Sequence, residues 1–119
     1  MLKPLLLAVS LLFGLLPGGQ ALAHAVLMDS RPAPKAEVAG DTIDVLLHYN
    51  SRIDSRRSRL ALKGAGASKV LDLRQGPTEA DLAATLQGLK PGAYVLHWDV
   101  LSVDGHVSRG QIPFTVRER

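Results

Sequence analysis

Apolar and polar residues alternate in short bursts along most of this chain, with Pro, Gly, Asp and Ser clusters between them. Alternation with a period of two puts successive side chains on opposite faces of a strand. From residue 25 onward, no stretch keeps apolar residues at i, i+3, i+4 and i+7 long enough to require a helix. The pattern therefore predicts β structure. Residues 25–28 read as a first strand, ended by Arg31-Pro32-Ala33-Pro34, where two prolines remove backbone donors. Residues 42–49 read as a second. Residues 58–62 and 69–73 flank the turn Gly64-Ala65-Gly66, and residues 80–86 form a further strand or, given their Ala and Leu content, a helical turn. Lys90-Pro91-Gly92 is a turn, with Pro fixing φ and Gly tolerating positive φ. Residues 94–102 then place Tyr94, Leu96, Trp98 and Val100 on one face, and Val95, His97, Asp99 and Leu101 on the other. Residues 111–116 turn Ile112, Phe114 and Val116 inward. Six or seven short strands in sequence predict an all-β fold, a small antiparallel Greek-key sandwich or barrel. No internal repeat or low-complexity tract interrupts it.

The first 23 residues break the pattern. Met1 and Lys3 make a short positive start, residues 4–17 are almost wholly apolar, and Gly18-Gly19-Gln20 precedes the small-x-small site Ala21-Leu22-Ala23. This predicts a secretory signal peptide over residues 1–23. The apolar core, residues 5–16, has 12 residues, short of the ~20 that span a bilayer as a helix. An uncleaved membrane anchor is the alternative, and it would make the Ala-Leu-Ala site accidental. Cleavage leaves residues 24–119, 96 residues, which is chain enough for a single domain with a modest core. That domain begins at His24 and carries no membrane span.

Charge and cysteine content narrow the partners. Once Lys3 leaves, 13 basic residues stand against 11 acidic ones, a net charge of +2, and an exported protein this weakly basic is not expected to bind nucleic acid. Arg52, Arg56, Arg57 and Arg59 form the strongest charge run and read as a solvated loop. With no cysteine, neither a disulfide framework nor a thiolate metal site is available. No apolar surface stripe argues for a dimer, so a monomer is expected.

The chemistry gathers at two distant places. The first is His24, which as a new amino terminus offers its amine and its Nδ1 to close a six-membered chelate ring on a metal. The second is Asp104-Gly105-His106, where a carboxylate and an imidazole two residues apart project to the same side of an extended segment. Nitrogen and oxygen donors in a tetragonal set suit Cu(II), and the lack of thiolates removes the usual structural zinc site. The blander reading of Asp104-Gly105 is a hairpin turn that only reverses the chain.

These residues also carry a family resemblance. His24-Ala25, Leu27, Ser30 and Pro32-Ala33 at the start resemble the opening of the CopC family. So do Leu89-Lys90-Pro91-Gly92-Ala93-Tyr94-Val95, His97-Trp98, Ser102-Val103-Asp104-Gly105-His106, Gly110 and Phe114-Thr115-Val116 toward the end. The resemblance implies a periplasmic copper-binding protein with a seven-stranded β-sandwich of cupredoxin-like or immunoglobulin-like topology, acting in copper resistance, sequestration, delivery or uptake. It implies one Cu(II) per chain, held by the amine and imidazole of His24, the carboxylate of Asp104 and the imidazole of His106, and a CopD-like inner-membrane copper transporter as partner. Tyr49-Asn50-Ser51 stands where some members read Phe-Ser-Glu, so a further carboxylate ligand is not implied. Some members hold Cu(I) in a methionine-rich loop, whereas Met28 is the one methionine beyond the leader. His48 and His97 read as strand residues outside the site.

Two other classes fit parts of the pattern. A copper-dependent oxidative enzyme with a histidine brace would share the terminal histidine, but it would need surface aromatics for a polysaccharide. A metal-free immunoglobulin-like interaction module would leave Asp104 and His106 as turn residues.

Overall fold

Alternation along the chain becomes two facing sheets in the computed structural model, which describes residues 25–118. The expected leader and His24 lie outside the described residues. Nine strands run in chain order: β1 (Leu27–Arg31), β2 (Ala36–Val38), β3 (Thr42–Tyr49), β4 (Arg59–Gly64), β5 (Ala67–Val70), β6 (Arg74–Gln75), β7 (Asp81–Gln87), β8 (Gly92–Leu101) and β9 (Val107–Val116). One sheet has the order β1-β3-β7-β6 and the other β2-β9-β8-β4-β5. The architecture is the expected all-β Greek-key sandwich. It is larger by two short strands, β2 and β6, and it is mixed rather than purely antiparallel, because β2 pairs parallel to β9.

The sandwich closes on residues whose alternation was regular. Ile43, Val45, Leu47 and Tyr49 of β3 and Leu82, Ala84 and Leu86 of β7 face Leu60 and Leu62 of β4, Tyr94, Leu96, Trp98 and Val100 of β8, and Ile112, Phe114 and Val116 of β9. Burying each large side chain is worth about 1.5–3 kcal/mol, so this core carries a fold that has no disulfide. Residues 81–87 settle as a strand because β3 and β6 pair with β7 on either side, which overrides their helical composition. The β4–β5 hairpin turns through Ala65 and Gly66, with φ of +52° and +76°, the arrangement that matches the twist of the flanking strands. β1 begins two residues later than the pattern suggested and includes Arg31. At the β8 start, the Tyr94 hydroxyl donates to the Lys90 carbonyl at 2.7 Å and ties down the Lys90-Pro91-Gly92 turn.

A buried carboxylate secures one loop of this scaffold. Asp81 accepts from the Thr78 amide and hydroxyl, each at 2.8 Å, and from His48 Nδ1 at 2.5 Å. Burial alone would raise the Asp81 pKa, but the hydrogen bonds from His48 and Thr78 outweigh it and hold the carboxyl below its ordinary 3.8. A depressed carboxyl contributes stability above its unfolded value and loses it as pH falls through the folded value. Asp81→Asn is therefore expected to cost about 1–3 kcal/mol at neutral pH. That difference from the parent should shrink as pH falls below 3.8. Denaturant unfolding at both ends of that pH window checks it.

Candidate metal centre

The segment after β3 does the positioning. Residues 50–54 leave the first sheet and cross to the second: Asn50 exchanges hydrogen bonds with Val26, Arg52 accepts at its carbonyl from the Val103 amide at 3.2 Å, and Ile53 bridges to Ser102. Asp54 N donates to the Leu101 carbonyl at 2.8 Å, and the Asp54 carboxylate caps the short 3-10 turn Ser55–Arg57. The start of the described chain and the loop that joins β8 to β9 are thereby stitched to one end of the sandwich.

That loop carries Asp104 and His106. Its form follows from Gly105, whose φ of +95° few other residues adopt, and from a Ser102–His106 pairing in which Ser102 N donates to the His106 carbonyl at 2.9 Å. The Ser102 hydroxyl donates to Asp104 Oδ1 and also to the His106 carbonyl. The same Oδ1 lies 3.3 Å from His106 Nδ1. Carboxylate and imidazole therefore sit side by side, each about half exposed (48% and 51%), so an incoming ion meets them without displacing a buried core. The Ser102 hydroxyl is the main influence holding the Asp104 carboxyl below its ordinary value; burial opposes it, and His106 assists. The donor set is thus an ionised carboxylate and an imidazole, chemistry suited to a divalent transition ion.

The structure brings two of the three expected ligands together. The third, His24, lies outside the described residues, immediately before Ala25, which is 3% exposed and packed into the core. Among the described residues no group of three or more His, Cys, Asp or Glu is gathered to hold a metal. Sequence reasoning passed over two contributors. Ser102, buried at 3% exposure, orients Asp104, and its place in Ser102-Val103-Asp104-Gly105-His106 was a readable signal. Asn50 reaches Val26 across 24 residues, which no local pattern announces. His48 and His97 stay outside the loop as expected, the first on β3 with Asp81 and the second on β8. The arginine run is exposed, with Arg52 3.5 Å from Glu79 and Arg57 3.7 Å from Asp54. Tyr49, Tyr94, Trp98 and Phe114 are all buried, so the described residues offer no aromatic platform for a polysaccharide. Among them no helix is long and apolar enough to cross a membrane.

Fold and loop define the class: a Greek-key β-sandwich presenting a carboxylate and an imidazole side by side at one end. The CopC domain model matches residues 27–117, and the chain belongs to the CopC family. It is similar to protein YobA from Escherichia coli strain K12, at 29% identity over 99 residues, 80% of each chain. Among solved structures it is similar to CopC from Methylosinus trichosporium OB3b, with 29% identity and a TM-score of 0.68 over 81% of this chain and 96% of that one. PcoC, a methionine-rich copper resistance protein from Escherichia coli, shares the fold at 22% identity and a TM-score of 0.64, covering 80% of this chain and 100% of that one.

Proposed function

We propose that this protein is a periplasmic Cu(II)-binding protein of copper resistance, which sequesters or delivers one Cu(II) per chain and does no chemistry on it. The observation that carries the reading is the Asp104–His106 pair, set by Ser102 on a loop that residues 50–54 tie to Val26, two residues from His24. Membership of the CopC family and the fold shared with a protein described as a copper resistance protein support it.

In this reading residues 1–23 are removed on export and His24 leads the single domain 24–119. The His24 amine and imidazole, the Asp104 carboxylate and the His106 imidazole hold the ion. The Ser102 hydroxyl, bonded to Asp104 Oδ1, fixes the carboxylate beside His106. The nitrogen donors bind only in their unprotonated form, so metal binding releases protons and acid reverses the step. A CopD-like inner-membrane copper transporter is the natural recipient of the released ion, and the chain acts as a monomer.

A competition titration with a Cu(II) chelator of known strength tests this, using protein whose mass confirms His24 as first residue. Tight binding of one Cu(II) at neutral pH, lost progressively as the solution is acidified, is expected. Binding no tighter than that of an unstructured peptide beginning with His would leave a metal-free sandwich instead.

A further inference from the structure

We propose that Asn50 is a positioning residue for the copper centre, holding the two halves of the site at their working separation; this rests on reading His24, Asp104 and His106 as the ligands. The β1–β3 ladder ends at the pair Leu27↔Tyr49. One step beyond it, Asn50 N donates to the Val26 carbonyl at 3.0 Å. A continuing antiparallel pair would return the bond from Val26 N to the Asn50 carbonyl. Here the chain bends at Asn50 and leaves the sheet, and the side-chain Oδ1 accepts from Val26 N instead, at 2.8 Å. A short amide side chain standing in for backbone is a property of Asn and Asp that longer or apolar side chains lack.

The bend makes this contact consequential. Two residues after Asn50, the Arg52 carbonyl accepts from Val103 N at 3.2 Å, and Ile53 then bridges to Ser102. Residue 50 thus grips the chain two positions after His24, while its own continuation grips the chain one position before Asp104. The distance from the leading end to the Asp104–His106 loop is spanned by this one short, doubly anchored segment. Asn50 is exposed and absent from the apolar core, so its loss should loosen the leading end without unfolding the sandwich. An ion binds better to a leading end that is already held, and losing this one hydrogen bond lowers metal affinity by about 2–10-fold.

The test compares the processed parent with Asn50→Ala and Asn50→Asp. It reads Cu(II) affinity by chelator competition, the Cu(II) electron paramagnetic resonance spectrum, exchange of the Val26 amide and the melting temperature of the metal-free protein. Asn50→Ala is expected to lose about 2–10-fold in affinity, to change the parallel hyperfine splitting and to expose the Val26 amide, with melting altered little. Asn50→Asp keeps the acceptor and is expected to restore affinity and spectrum. Parent-like affinity and spectrum in Asn50→Ala, or an Asn50→Asp as weak as Asn50→Ala, would overturn the proposal. Should Asn50→Ala not fold, Asn50→Leu, similar in size but without an acceptor, carries the comparison. A parent whose affinity ignores acetylation of the His24 amine removes the ligand reading and this proposal together. A parent that responds to acetylation, beside an unaffected Asn50→Ala, removes this proposal alone.

Discussion

Acetylation of the His24 amine in the processed protein is expected to lower Cu(II) affinity by about a hundredfold or more, because linked donors gain that much over separate ones. In the proposed site the terminal amine and Nδ1 of that histidine close their ring on the ion together. Acetylation converts the amine into an amide, whose nitrogen is a poor donor at neutral pH when no neighbouring amine anchors the ion. Asp104 and His106 are untouched by the change, since their geometry is set by Ser102 and Gly105. The acetylated protein should therefore retain weak binding through those two side chains, and its metal-free stability should match the parent. Binding of an ion only to the folded state raises stability by mass action, so the copper-dependent rise in melting temperature should be smaller in the acetylated protein. Competition titration of the pair decides the matter: equal affinities would sink the terminal chelate.

Gly110→Ala is expected to destabilise the sandwich strongly while leaving the site residues alone. Gly110 lies opposite Trp98 in the β8–β9 register, and a Cβ there would fall 2.3 Å from Trp98 Cζ2 and 2.6 Å from Cε2. The indole has little room to retreat. It is 7% exposed and packs edge to face on Tyr49, ring centroids 5.3 Å apart. Overpacking of this kind costs about 1–3 kcal/mol, which in a domain this size lowers the melting temperature by about 5–20 °C. Trp98→Phe removes the atoms that collide, so the double variant should lose less than the sum of the two single changes. Thermal unfolding of the four proteins in a double-mutant cycle measures that coupling. Strict additivity would mean that the strand shifts rather than the ring being crowded.

Much of the scaffold was legible because its strands are long enough to display a period. Residues 42–49 were read as a strand with the bounds that β3 has. The inward set Tyr94, Leu96, Trp98 and Val100 is the buried face of β8. β2 and β6 were missed, since three and two residues cannot display alternation. They are strands only because neighbours lend them partners, β9 for the first and β7 for the second. β9 was read as starting at residue 111 and in fact starts at Val107. Its polar opening Val107-Ser108-Arg109-Gly110 is extended by pairing with the end of β8, a nonlocal cause.

The candidate site divides along the same line. Asp104 and His106 are two apart, with a glycine between them that takes positive φ, and backbone geometry over so few residues is a local matter that sequence alone settles. Sequence also settled the turn at Ala65-Gly66 and the apolar set that makes the core. What tertiary structure decided is that Asn50 reaches back to Val26 while Arg52 and Ile53 reach forward to Ser102 and Val103. Each contact closes a long loop whose entropic cost no local preference can offset. Burial of the whole sandwich core meets that cost, and so the fold, rather than any motif, ties Val26 and the residues flanking Asp104 to the two ends of one short segment.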